Sequence, residues 1–83
     1  MYFYIVYNSI TYANRVRDML EGYAGYAAVV HTPREISIGG CSYSIKATEE
    51  KFRRAIEISQ KNNISVKGIY KQNSDGGFTE VFI

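Results

Sequence analysis

The chain has no tryptophan and only one cysteine, one proline and one histidine among its 83 residues. One cysteine cannot close a disulfide within the chain, so no covalent staple supports the fold, and the odd thiol implies a reducing compartment or an intermolecular bond. One histidine and one cysteine cannot assemble a zinc set locally. No apolar run approaches the roughly 18 residues of a membrane-spanning helix, and the opening MYFYIVYNSI lacks the basic start of a secretory signal. Charge of one sign is also scarce: ten basic and eight acidic residues give a net +2, interspersed along the chain. That balance disfavours nucleic acid as a partner. The expectation is a soluble cytoplasmic protein without a membrane partner.

What is present begins with aromatics: eight tyrosines and four phenylalanines suit half-buried sheet surfaces. Residues 2–7, YFYIVY, form a continuous strand-length run that Asn8 and Ser9 interrupt. Either can cap a helix by accepting from a first-turn amide. The segment ITYANRVRDMLEGYAG then places Ala13, Val16, Leu20 and Tyr23 on one face, with Gly22 or Gly25 as the stop. YAAVVHT is a second strand, ended by Pro33, and residues 33–40 read as loop. SYSIKA alternates, with Tyr43 and Ile45 on one face and Ser42, Ser44 and Lys46 on the other.

Thr48 with Glu49 and Glu50 marks a second helix whose inner stripe is Phe52, Ala55, Ile56 and Ser59. Glu50 with Arg54 and Glu57 with Lys61 are spaced as ion pairs, and Asn62 and Asn63 can adopt the left-handed turn that ends the helix. SVKGIYKQ, NSDGG and FTEVFI read as strand, turn and strand. The order is that of an α+β, ferredoxin-like split βαβ domain: one unit over residues 1–83, an antiparallel sheet with two helices on one face, and an extra C-terminal hairpin strand. Right-handed crossovers make strands one and two parallel with strand three between them. The loop after residue 32, the start of the first helix and the turn at 62–65 then share one end of the sheet.

The distinctive residues crowd into HTPREISIGGCSYSI, residues 31–45. Arg34, Ser37, Gly39, Gly40 and Cys41 fall near Asn8, Ser9 and the free amides of the first helix in this topology. Glycine amides, a helix N-terminus and a guanidinium all attract anions and favour thiolate at Cys41. Each part has a plainer reading: a lone cysteine is usually a small buried hydrophobe, a Gly-Gly pair a turn, Arg34 a solvated charge beside Glu35, and His31 a structural residue. Only as a cluster do these residues point to a function. No base with an orienting group stands in pattern with Cys41, and no phosphate-loop, dinucleotide or paired-carboxylate motif occurs, so no enzymatic turnover and no cofactor are expected. The third strand offers only Tyr43 for base stacking, against the several aromatics of an RNA recognition motif.

Pro33-Arg34-Glu35-Ile36-Ser37, followed by Cys41 and the strand 42–46, together with Lys67-Gly68-Ile69-Tyr70, resembles the pattern of a small bacterial selenium/sulfur carrier-like family. The resemblance implies that Cys41 carries a persulfide or its selenium equivalent between donor and acceptor proteins, with Arg34, Ser37 and the glycine amides settling its charge. The alternative is a regulatory module in which the same loop binds a small anion or a protein and Cys41 only packs. Independently, the apolar end FTEVFI and the small core predict a homodimer joined through the sheet or this hairpin.

Overall fold

The computed structural model describes residues 1–37 and 42–82. Its elements run β1 (Phe3–Tyr7), α1 (Ile10–Met19), β2 (Ala27–His31), a 3-10 turn (Arg34–Ile36), β3 (Tyr43–Ala47), α2 (Glu49–Lys61), β4 (Val66–Gln72) and β5 (Phe78–Glu80). The sheet order is β2-β3-β1-β4-β5, with every neighbouring pair antiparallel. β1 and β2 are therefore parallel, with β3 between them, which is the ferredoxin-like arrangement extended by one edge strand. In register, His31, Tyr43, Tyr7 and Val66 are level across four strands. The end of β2, the start of β3, the exit from β1 and the entry to β4 thus share one end of the sheet.

β1 is central and apolar on both faces. Phe3, Ile5 and Tyr7 point to the helix side, where Ala13, Val16, Leu20, Ile45, Ala47, Phe52, Ala55, Ile56 and Ile64 complete the main core. Tyr4 and Val6 point to the other side and are buried in a second cluster with Ile36. Helix α1 starts because Ser9 is extended (φ −148°, ψ 157°) and its hydroxyl accepts from the Tyr12 amide at 3.3 Å. Helix α2 buries the stripe Phe52, Ala55, Ile56 and Ser59 that the sequence spacing marks. It ends at Asn63, which adopts φ 55°.

Several expectations are corrected. Tyr23 is not on the buried face of α1: the helix stops at Met19, and Tyr23 lies in the turn beyond it, 45% exposed, with the Arg54 guanidinium 5.2 Å from its ring. Arg54 accordingly pairs with Glu57 at 3.7 Å instead of with Glu50, and the strongest helix pair is Arg53 with Glu49 at 2.9 Å. Lys61 does meet Glu57, at 3.7 Å. Thr48 does not cap α2 with its side chain. Its hydroxyl oxygen accepts from the Tyr26 amide at 3.1 Å, tying the start of α2 to the start of β2. Gly25, at φ 104°, is required beside that hydroxyl, because a Cβ there would collide with it. Ser44 is fully buried and not solvated, since its hydroxyl bonds that of Thr32 at 2.6 Å. Only Phe78–Glu80 of the last apolar segment forms strand; Phe78 packs edge-on against Tyr4 at 5.4 Å, and Phe82 is exposed.

Tyr7 is wholly buried, and its hydroxyl meets that of Ser59 at 2.8 Å. Ser59 donates to the Ala55 carbonyl at 2.8 Å, so the Tyr7 hydroxyl donates to Ser59. Burial pushes the Tyr7 pKa up from 10.0 to about 12, the Ser59 contact opposing slightly. The folded form thus holds the Tyr7 proton more tightly than the unfolded chain does. Its contribution to stability is intact below pH 10 and is lost between pH 10 and about 12. Chemical denaturation across that window should show stability falling by up to roughly 2–3 kcal/mol. Tyr7→Phe should flatten that fall and cost about 1 kcal/mol at neutral pH, where it leaves Ser59 one hydrogen bond short.

Candidate functional site

Residues 32–42 leave and rejoin the sheet through one closed neck. The Thr32 amide donates to the Ser42 carbonyl at 3.0 Å, and the Thr32 hydroxyl reaches Ser44 just below. Above the neck Pro33 fixes φ at −55° and starts a short 3-10 turn, in which the Ile36 amide donates to the Pro33 carbonyl at 3.0 Å. A turn of three residues per revolution throws Arg34 and Glu35 outward and Ile36 inward. Arg34 and Glu35 are exposed, and Ile36 is buried in the cluster with Tyr4 and Val6.

The second wall comes from β4. Opposite the β1 step from Tyr7 to Val6, β4 advances two residues, from Val66 to Gly68. Lys67 is therefore the extra residue of a β-bulge. The bulge lets Val66 and Ile69 both serve the main core although they are three apart, and it turns Gly68 and Tyr70 to the other face. Val6, Ile36, Lys67, Gly68 and Tyr70 line one narrow cleft of about 10 Å³, roughly the space of one water molecule. Gly68 is needed here: a Cβ would stand 2.9 Å from the Tyr70 ring, which lies over it. The segments 33–37 and 67–70, far apart in sequence, therefore meet through Ile36.

Asn8 and Ser9 lie at the same end of the sheet but lead onto the helix side, whereas Ile36 reaches the opposite face. The first turn of α1 carries no acidic residue, so nothing there offsets the positive end of its dipole. Among the described residues the Arg34 guanidinium has no hydrogen bond or ion pair. His31 is occupied in packing, its ring 4.7 Å from that of Tyr43. Ser42 is buried, and its hydroxyl has no partner among the described residues. Gly39, Gly40 and Cys41, the carrier thiol of the sequence reading, lie outside the described residues. Among the described residues no cluster of histidine, cysteine, aspartate or glutamate could hold a metal ion, and no helix is long and apolar enough to cross a membrane.

The resemblance named Lys67-Gly68-Ile69-Tyr70 beside the 33–46 pattern, but local sequence did not show that the two segments meet, nor that Val6 lies between them; the bulge at Lys67 left one trace, a glycine inside a strand. Two substitutions test the latch. Ile36→Ala should cost about 2–4 kcal/mol by opening a cavity over Val6. Gly68→Ala should cost about 1–3 kcal/mol by displacing the Tyr70 ring. Thermal unfolding should report each as a drop in Tm of several degrees or more, and a neutral Ile36→Ala would show that the turn is not held by that side chain.

No curated protein and no solved structure matches the chain. A family model does match, over residues 2–71, and it is described as "Putative Se/S carrier protein-like". The matched span ends inside β4, so it includes both walls of the cleft and the whole loop between Thr32 and Ser42, and leaves the β5 hairpin outside. With most of its length matched, this chain belongs to the Se/S carrier protein-like family.

Proposed function

We propose that the chain is a sulfur or selenium carrier that acts through the Cys41 thiolate and has no turnover of its own. The family match supports the carrier class. The observation that supports Cys41 is the meeting of the 33–37 and 67–70 segments: Ile36 is buried with Tyr4 and Val6, Tyr70 packs on that cluster, and the Thr32 amide bonds the Ser42 carbonyl. The described residues that flank Cys41 in sequence are therefore held at one end of the sheet, at Ile36 and at the Thr32–Ser42 bond. Such tethering suits a thiol that must be presented to two different proteins in turn.

The chemistry needs no external oxidant. The Cys41 thiolate attacks the outer sulfur of a donor persulfide; the donor's sulfur–sulfur bond breaks, a new one forms on Cys41, and the donor leaves as a thiolate. An acceptor nucleophile then takes the outer atom and releases the Cys41 thiolate. A selenium atom follows the same path. Between the two steps a negative charge rests on the carried atom, and Arg34, Ser37, the amides of Gly39 and Gly40, and the α1 start at Asn8 and Ser9 are the groups offered to it. The free thiol fits the reducing cytoplasm.

Incubation with a cysteine desulfurase and cysteine should add one sulfur atom to Cys41, reversible by dithiothreitol and read by mass spectrometry. Cys41→Ser should abolish the adduct, and Arg34→Ala should slow its formation. An unloaded thiol that alkylates no faster than free cysteine would reject the carrier. The Arg34 guanidinium, without an ion pair among the described residues, keeps a second reading in the same experiment. If phosphate or sulfate binding survives Cys41→Ser, vanishes in Arg34→Ala and no adduct forms, the loop is an anion-binding regulatory site.

A further inference from the structure

The sheet has two edges, and they are built differently. β5 is three residues long, carries Glu80 and spends Phe78 on Tyr4. Short length and charge are how natural edges avoid pairing. β2 is five residues, AAVVH, with no lysine, arginine, aspartate, glutamate or proline, and among the described residues it pairs only with β3. It has none of the usual protections.

The register fixes which of its backbone groups are free. Thr32 bonds Ser42, and the Thr48 amide bonds the Tyr26 carbonyl, so the hydrogen-bonded positions of β2 are the even-numbered residues. Ala27, Val29 and His31 consequently direct both N–H and C=O away from β3. We infer that these groups receive β2 of a second copy, antiparallel, about a two-fold axis through Val29, joining two five-stranded sheets into one.

The segment is self-complementary in that arrangement. Val29 faces Val29 of the partner subunit, and Ala27 and His31 face each other across the axis, so mutual N–H to C=O bonds close at all three positions. Between them Ala28 and Val30 face each other, small against branched. No charged side chain opposes a like charge, which leaves nothing in the strand to discourage a second copy. The helix and connection that lead into β2 also expose apolar side chains, alongside the exposed Arg15, Asp18 and Glu21. Among the described residues, four of the six large apolar side chains left exposed are Ile10, Tyr12, Tyr23 and Tyr26, on α1 and its connection into β2, and α1 packs on β2. Antiparallel joining also sends the two Thr32–Ser42 necks to opposite ends of the combined sheet, so pairing leaves both loops accessible. The inference does not depend on the chemistry of Cys41.

The test uses the full chain under reducing conditions, so that a cysteine-linked dimer cannot contribute. Sedimentation should give a dimer. Amide exchange should be about tenfold or more slower at Ala27, Val29 and His31 in concentrated than in dilute protein, with Ala28 and Val30, already bonded to β3, unchanged. Val29→Pro removes one outward donor and no β3 bond, and should yield a folded monomer by circular dichroism and sedimentation. Glu80→Pro, at an outward position of β5, should remain dimeric. A monomer up to the solubility limit, a dimer whose Ala27, Val29 and His31 amides exchange equally fast at both concentrations, or a folded Val29→Pro dimer would each overturn the inference. Because exchange is read on the unmutated chain, a Val29→Pro chain that failed to fold would leave that outcome decisive.

Discussion

β1 lies at the centre of the sheet with a core cluster on each face, and its one fully buried polar atom, the Tyr7 hydroxyl, is matched by Ser59. Phe3, Ile5 and Tyr7 must match one core and Tyr4 and Val6 another. Two helices cover the first set. The second set has no layer of its own, and the chain covers it with what lies nearest at the two ends of the molecule: Ile36 from the loop after β2 and Phe78 from β5. The turn at Arg34–Ile36 is thus part of the cover over the central strand. Burying Ile36 contributes on the order of 2 kcal/mol, and the exposed Arg34 and Glu35 ride on that anchor.

This arrangement explains how far the sequence could be read. Local pattern sufficed for β1, for the inner stripe of α2 and for the left-handed stop at Asn63, because each is set by side chains within a few residues. The order of the strands followed from crossover handedness. Tyr23, the Glu50–Arg54 pair and the Thr48 cap failed for a common reason: a partner distant in sequence outbid the local one. Arg54 is drawn to Tyr23 across the interhelical space, and Thr48 to the Tyr26 amide twenty-two residues away. The same holds at the site. Residues 31–45 announced themselves by rarity, but nothing local shows that Ile36 would seat against Gly68.

The bulge at Lys67 is the least legible feature and has the widest consequence. In strict alternation Val66 and Ile69 would fall on opposite faces, and one of them would be lost from the core. One inserted residue restores both, and the strand beyond it keeps Tyr70 level with Tyr4 on the face that Ile36 covers. The slip also leaves the Lys67 side chain at the rim of the cleft. A run such as VKGIY contains the apolar residues of both faces without saying where the phase changes; only the glycine, needed beneath the Tyr70 ring, hints at it.

The two edges of the sheet divide the remaining labour. At β5 the exposed surface is limited by shortness and by Glu80, and the family match stops before it, so this hairpin reads as an addition that completes the cover over Tyr4. At β2 the edge groups of Ala27, Val29 and His31 have no partner strand among the described residues. A domain of this size buries only about 60% of the surface its unfolded chain exposes, and added sheet is the cheapest way for it to bury more. Thr32 is the next residue after β2, so whatever holds that strand also holds the neck from which residues 33–37 depart.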